Sequence, residues 1–113
     1  MPKAIHFIFN PSEIGAGTRG ASLGPEAIRA AARTKGSQLF AQHPIKVITE
    51  QNHLLDHTSP FPFAKNIDGL QKVFDSLNSN IASSIADSSF PLIIAGDHSS
   101  AAGTLAALKN AHP

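Results

Sequence analysis

Residues Phe90 to Ser100, FPLIIAGDHSS, constrain this chain more than any other stretch. Leu92-Ile93-Ile94-Ala95 is a continuous apolar run, too short for an independent helix and rich in β-branched side chains, so it predicts a strand buried on both faces. Gly96 stops it. Asp97 and His98 follow directly, then Ser99-Ser100 and an alanine-rich stretch from Ala101 to Lys109 that predicts a helix with a Ser or Asp N-cap. In open α/β sheets ligands bind at the carboxyl ends of strands, where strand-to-helix turns and helix N-termini converge. The Asp-His pair is therefore placed for chemistry rather than for packing.

The upstream chain supplies the rest of such a sheet. Ala4 to Phe9 is apolar on both faces, which predicts a central or near-central strand. Asn10-Pro11-Ser12 breaks it, and a long glycine-bearing loop leads to a helix that starts at Pro25, a good first helical residue, and runs through Glu26 to Thr34. On that helix Ala27, Ile28, Ala31 and Ala32 share a stripe, Arg29 and Arg33 read as a solvated flank, and Gly36 is a natural stop. Ile45 to Glu50 predicts a second strand, less apolar and closer to an edge. Lys65 to Ala86 is the clearest helix, with Ile67, Leu70, Val73, Phe74, Leu77, Ile81 and Ile85 on one stripe and Asp68 and Asp75 on the polar side. The order β-α-β-α-β-α predicts a parallel sheet between helical layers, a three-layer αβα arrangement in one domain.

Composition narrows the chemistry. The 113 residues include no cysteine, which excludes disulfide scaffolds, thiolate zinc sites and cysteine nucleophiles and leaves His and carboxylates as metal ligands. A formal net charge of +1 without any basic run gives no support to a nucleic-acid or anionic-membrane partner. The N-terminal apolar run is too short for a signal peptide and no run approaches a membrane span, so a soluble, cytoplasmic protein is expected.

Other patterns carry less. Gly15-Ala16-Gly17-Thr18-Arg19-Gly20 is a formal G-x-G-x-x-G after a strand, but the helix begins beyond it, and Glu50 lies about thirty residues past Gly20 where a ribose-binding acid follows at about 20. A long loop needing positive φ at several glycines accounts for it better, with Arg19 either tying the loop down or facing the site rim. His53, Asp56 and His57 fall in a segment with two nearby prolines and no apolar periodicity, which predicts a surface loop rather than a ligand cluster on a helix. His6, within a strand, is expected to be packed with one hydrogen-bonded nitrogen.

Ala95-Gly96-Asp97-His98-Ser99 resembles the first metal-binding motif of the arginase family of ureohydrolases, usually written Gly-Gly-Asp-His-Ser. Ala95 departs from it, and a methyl there is compatible with ordinary β dihedrals. A second stretch, Glu13 to Ala31, is similar to that family's N-terminal glycine-rich loop and Gly-Pro-x-Ala-Ile-Arg helix start; the two motifs lie about seventy residues apart. The resemblance covers essentially the whole chain. It implies an arginase-like αβα fold, two Mn²⁺ ions held through His98 together with ligands from Asp-x-His-x-Asp and Asp-x-Asp motifs, and hydrolysis of a guanidino or amidino C–N bond, with arginine the first choice of substrate.

Neither of those further motifs occurs in this sequence. His98 is thus the one metal ligand the resemblance assigns here, with Asp97, Gly96 and Ser99 as supporting residues and Gly15, Gly17, Arg19 and Gly20 as a loop at the site rim. One imidazole cannot hold Mn²⁺ tightly. Residues 1–113 are therefore expected to be the N-terminal portion of a single arginase-like domain, inactive alone and homo-oligomeric when complete. A rival reading makes the chain a complete non-catalytic α/β binding or regulatory module, with His98 a turn residue; its exposed sheet edge counts against it.

Overall fold

Ile8 and Asn10 turn to one face of the first strand and Phe7 and Phe9 to the other, and all four are buried. The computed structural model describes residues 3–113. The first strand, β1 (Ile5–Asn10), pairs in parallel with β3 (Phe90–Ala95) over its full length, from Ile5 opposite Phe90 to Asn10 opposite Ala95. On its other side it pairs in parallel with β2 (Ile45–Val47), Phe7 opposite Ile45. The sheet order is β2-β1-β3, so the strand that is apolar on both faces is central.

Helices cover both faces. Ile8 packs with Val73, Leu77 and Ile81 of α3 and with Ala107 of α4. Here α3 is Ile67–Ala86 and α4 is Ser100–Ala111. On the opposite face Phe7 and Phe9 meet Phe40, with ring centroids 4.6 and 5.9 Å apart. Phe40 belongs to the short helix α2 (Leu39–Gln42), which follows α1 (Gly24–Thr34) in that layer. The expected three-layer αβα arrangement is present, with α2 added between α1 and β2.

Several expectations need correction. The strand read as buried on both faces, β3, lies at the sheet edge among the described residues; its central residues are half-buried and Phe90 and Ala95 exposed. Its apolar run still faces helices above and below, but no strand among the described residues covers its outer side. The second strand is three residues rather than six, because the backbone leaves the ladder once Ile48 has donated to the Phe9 carbonyl. The segment holding His53 is not free of helix, since Asn52–Asp56 forms a 3-10 turn. The apolar stripe of α1 is largely uncovered, with Ile28 49% exposed and only Pro25 buried.

His6 is held more completely than a lone strand histidine requires. Its Nδ1 lies 3.2 Å from the Ser84 hydroxyl and its Nε2 3.1 Å from that of Ser89, joining β1 to both ends of the α3–β3 connection.

The chain exposes 6943 Å², against about 6,000 Å² for a compact monomer of this mass. Its radius of gyration is 14.9 Å, against about 13 Å for a compact domain of this length. The surplus surface agrees with the open side of β3 and the bare stripe of α1.

Candidate functional site

The carboxyl ends of β1 and β3 are joined by a run of hydrogen bonds that continues past the strands. The Gly96 N–H donates to the Asn10 carbonyl at 2.8 Å and the Asp97 N–H to the Ser12 carbonyl at 3.3 Å. A Cβ on Gly96 would stand 2.5 Å from the Ser12 oxygen and 3.1 Å from that of Ala21, so a side chain is excluded where the two turns cross. Buried at this junction, Asn10 Nδ2 and Ser12 Oγ have no hydrogen-bond partner among the described residues.

Asp97 binds the two sequence motifs together. Its Oδ2 accepts the N–H groups of Gly15 at 2.9 Å and Ala16 at 3.2 Å. Its Oδ1 accepts the Ser99 N–H at 2.8 Å and the Ser99 hydroxyl. The expected Ser or Asp N-cap is thereby corrected, since no side chain caps the helix. Ser99 stands at the cap position but makes no side-chain cap bond, because its hydroxyl is spent on Asp97, while Ser100 Oγ donates to the Asp97 carbonyl at 3.2 Å. Gly15 is required by proximity: a Cβ there would lie 2.5 Å from both Cβ and Oγ of Ser99.

A second carboxylate pins the far end of the same loop. Glu13 is 2% exposed, and its Oε2 accepts the N–H groups of Gly20 and Ser22, each at 2.9 Å. The Ser22 hydrogen bonds, then those from Gly20 and the Arg19 charge, outweigh desolvation and hold its carboxyl below the ordinary glutamate range. Arg19 donates to Asp56 at 2.6 Å, to the Asn52 carbonyl and to Glu13, both at 3.4 Å. Asp56 is lowered by Arg19, first through the hydrogen bond and then through its charge. Of the two roles open to Arg19, the geometry is that of tying the loop down. Gly17 and Gly20 adopt φ of 71° and 130°, as a loop needing left-handed residues requires.

His98 is left outside this network. It is exposed, beside a recess of about 340 Å³ lined by Ile93, Ala95, Thr104 and Leu105 along the open side of β3. No group of three or more His, Cys, Asp or Glu residues is arranged to hold a metal among the described residues. Each Asp97 carboxylate oxygen already accepts two donors, Oδ2 from the loop and Oδ1 from Ser99. His53, Asp56 and His57 make no ligand cluster either.

The geometry thus brings Asp97 and Ser99 to Gly15 and Gly96 to Ser12 and Ala21, joining two motifs separated by most of the chain, with His98 exposed beside the junction. The Arginase family pattern matches residues 3–113. The chain belongs to the arginase family. The arginase of Staphylococcus aureus (strain COL) is 33% identical over 109 residues, which cover 94% of this chain and 36% of that protein. The arginase of Bacillus subtilis (strain 168) is 28% identical over 116 residues. Among solved structures, the arginase from Bacillus cereus superposes with a TM-score of 0.71 at 30% identity, over 96% of this chain and 35% of that one. The arginase from Bacillus caldovelox does so with a TM-score of 0.71 at 24% identity. The chain spans about a third of the length of the relatives it matches.

Sequence reasoning missed Glu13, Asn52 and Asp56 as anchors of the arginase-family loop. Asn52 Oδ1 accepts the Glu13 N–H at 2.9 Å and its Nδ2 donates to the Pro11 carbonyl at 2.9 Å. The available signal was a carboxylate within a loop rich in free N–H groups, which needs an acceptor of that kind.

Proposed function

We propose that residues 1–113 form the N-terminal portion of a single arginase-like domain and that the complete unit is a manganese-dependent ureohydrolase. It would hydrolyse a guanidino or amidino C–N bond, with arginine to ornithine and urea as the first choice. The observation that carries this reading is the division of labour at the turn: Asp97 is consumed in holding the loop, and His98 is left exposed at the strand end with no competing partner among the described residues. The family membership and the surplus surface along β3 support it.

His98 would supply one imidazole to the metal pair, and the remaining donors would come from outside residues 1–113. The lone imidazole fits a first ligand, not a whole site, so the chain by itself would be inactive. When bound, the metal pair supplies water activation near neutral pH and electrostatic stabilisation of developing charge. The residues of this chain do the positioning. Asp97 fixes the turn that carries His98, and Gly15 and Ala16 close over that turn from β1. A cytoplasmic location and a homo-oligomeric complete enzyme belong to the same proposal; no helix among the described residues is long and apolar enough to cross a membrane.

The test is a chimera in which this chain replaces the matching N-terminal third of the Bacillus subtilis arginase. Manganese-dependent urea release is expected, together with loss of bound manganese and of urea release in the His98→Ala chimera. A folded chimera without activity, or a His98→Ala chimera with undiminished manganese by elemental analysis, would overturn the assignment.

A further inference from the structure

A cleft of about 450 Å³ opens between the loop at Gly15–Gly17 and the segment leading into α3. It shares no lining residue with the recess beside His98. Its floor is apolar, made by Ile14, Leu54, Leu55 and Leu70, and its rim carries His57 and Lys65. The volume falls in the range of small-molecule sites, and the apolar side chains face a wall of polar groups from Thr58, Ser59 and Asn66 beside His57 and Lys65.

The charge on the rim is uncompensated. Lys65 makes no ion pair among the described residues. Asp56, the acid adjoining His57, is already engaged by Arg19 at 2.6 Å, so it does not neutralise the rim. Asp68, in the first turn of α3, is exposed and likewise unpaired with Lys65. A ligand that complements this surface carries one anionic group for Lys65 and a short aliphatic body for the leucines and Ile14.

We infer that the cleft is a binding site for a small aliphatic carboxylate, separate from the site of His98. The inference stands on the cleft alone and holds whatever reaction the complete protein performs. Gly15 lines the cleft and also donates to Asp97, so an occupant touches the loop that anchors the Asp-His turn.

The experiment is a titration of the ¹⁵N-labelled chain with 4-methylpentanoate, followed by amide chemical shifts, with 4-methylpentanamide as the neutral isostere. Saturable shifts at Gly15, Gly17, Leu54 and Asn66 are expected from the acid and not from the amide. Lys65→Met should weaken binding about tenfold and Lys65→Arg should restore most of it. Lys65 is exposed, so both variants are expected to keep the wild-type spectrum elsewhere. Equal responses to acid and amide, non-saturating shifts, or undiminished binding by Lys65→Met would each overturn the site.

Discussion

The backbone N–H of Gly15 donates to the carboxylate of Asp97 at 2.9 Å, although the two residues stand 82 positions apart in the chain. With the Ala16 N–H and both donors of Ser99 on the same carboxylate, one side chain closes the loop after β1 onto the turn after β3.

Removing that carboxylate strands several donors at once. Asp97→Ala should lower stability by about 2–3 kcal/mol, because hydrogen bonds to a charged acceptor are stronger than neutral ones. Asp97→Asn retains one acceptor oxygen and should cost less. Urea unfolding with an unchanged slope measures both, and equal stability of the two variants would contradict the clamp.

Gly15 and Gly17 should fail for different reasons. Gly15→Ala drives a methyl to 2.5 Å from Ser99 Cβ and Oγ, an overpacking worth about 1–3 kcal/mol. Gly17→Ala meets nothing within 4 Å but forces a side chain onto φ of 71°, at about 1–2 kcal/mol. Ser99→Gly should rescue Gly15→Ala and leave Gly17→Ala unrescued, as read from paired unfolding curves.

Acid should loosen the loop through Glu13. Its carboxyl titrates below the ordinary value of 4.5 in the folded chain, so the folded state binds the proton less readily than the unfolded one. Its contribution is present in full above that ordinary value and is lost as pH falls through the lowered one. The lowered carboxyl of Asp56 acts in the same direction. The unfolding midpoint of the wild type should fall as pH drops below 4.5, and Glu13→Gln should flatten that fall. An identical acid profile for Glu13→Gln would refute the role of the buried carboxylate.

The core and the candidate ligand should respond in opposite ways. Leu77 is fully buried against β1, so Leu77→Ala should cost about 2–5 kcal/mol. His98 is exposed and makes no hydrogen bond with its side chain among the described residues, so His98→Ala should shift stability by less than about 0.5 kcal/mol. Thermal melts of the two variants separate a structural from a functional residue.

What could be read in advance was what local pattern governs. The period of Val73, Leu77 and Ile81 gave α3 its buried stripe, and the two-sided apolarity of Phe7, Ile8 and Phe9 gave β1 its central place. The Gly96-Asp97-His98 turn after an apolar strand was visible because its residues are contiguous. Edge position was not. Leu92 to Ala95 has the composition of an interior strand, and only the pairing partners decide whether it is one. The anchoring of Glu13 by Gly20 and Ser22 was hidden for a related reason, since a loop's hydrogen bonds depend on its path and not on any period. Asn52 lay further still from its partners, 39 positions from Glu13 and 41 from Pro11.

The open side of β3 also sets how solutions of this chain should behave. A strand paired on one side alone presents a row of unmet N–H and C=O groups to any other strand. Here that row is flanked by Phe90, 55% exposed, and Leu105, 66% exposed, with no charged side chain on β3 itself to repel an approach. Two copies meeting at this rim would satisfy each other's backbone groups and hide the same apolar flank. Concentrated samples should therefore self-associate through β3, and a lysine placed at the exposed Leu105 should keep them dispersed.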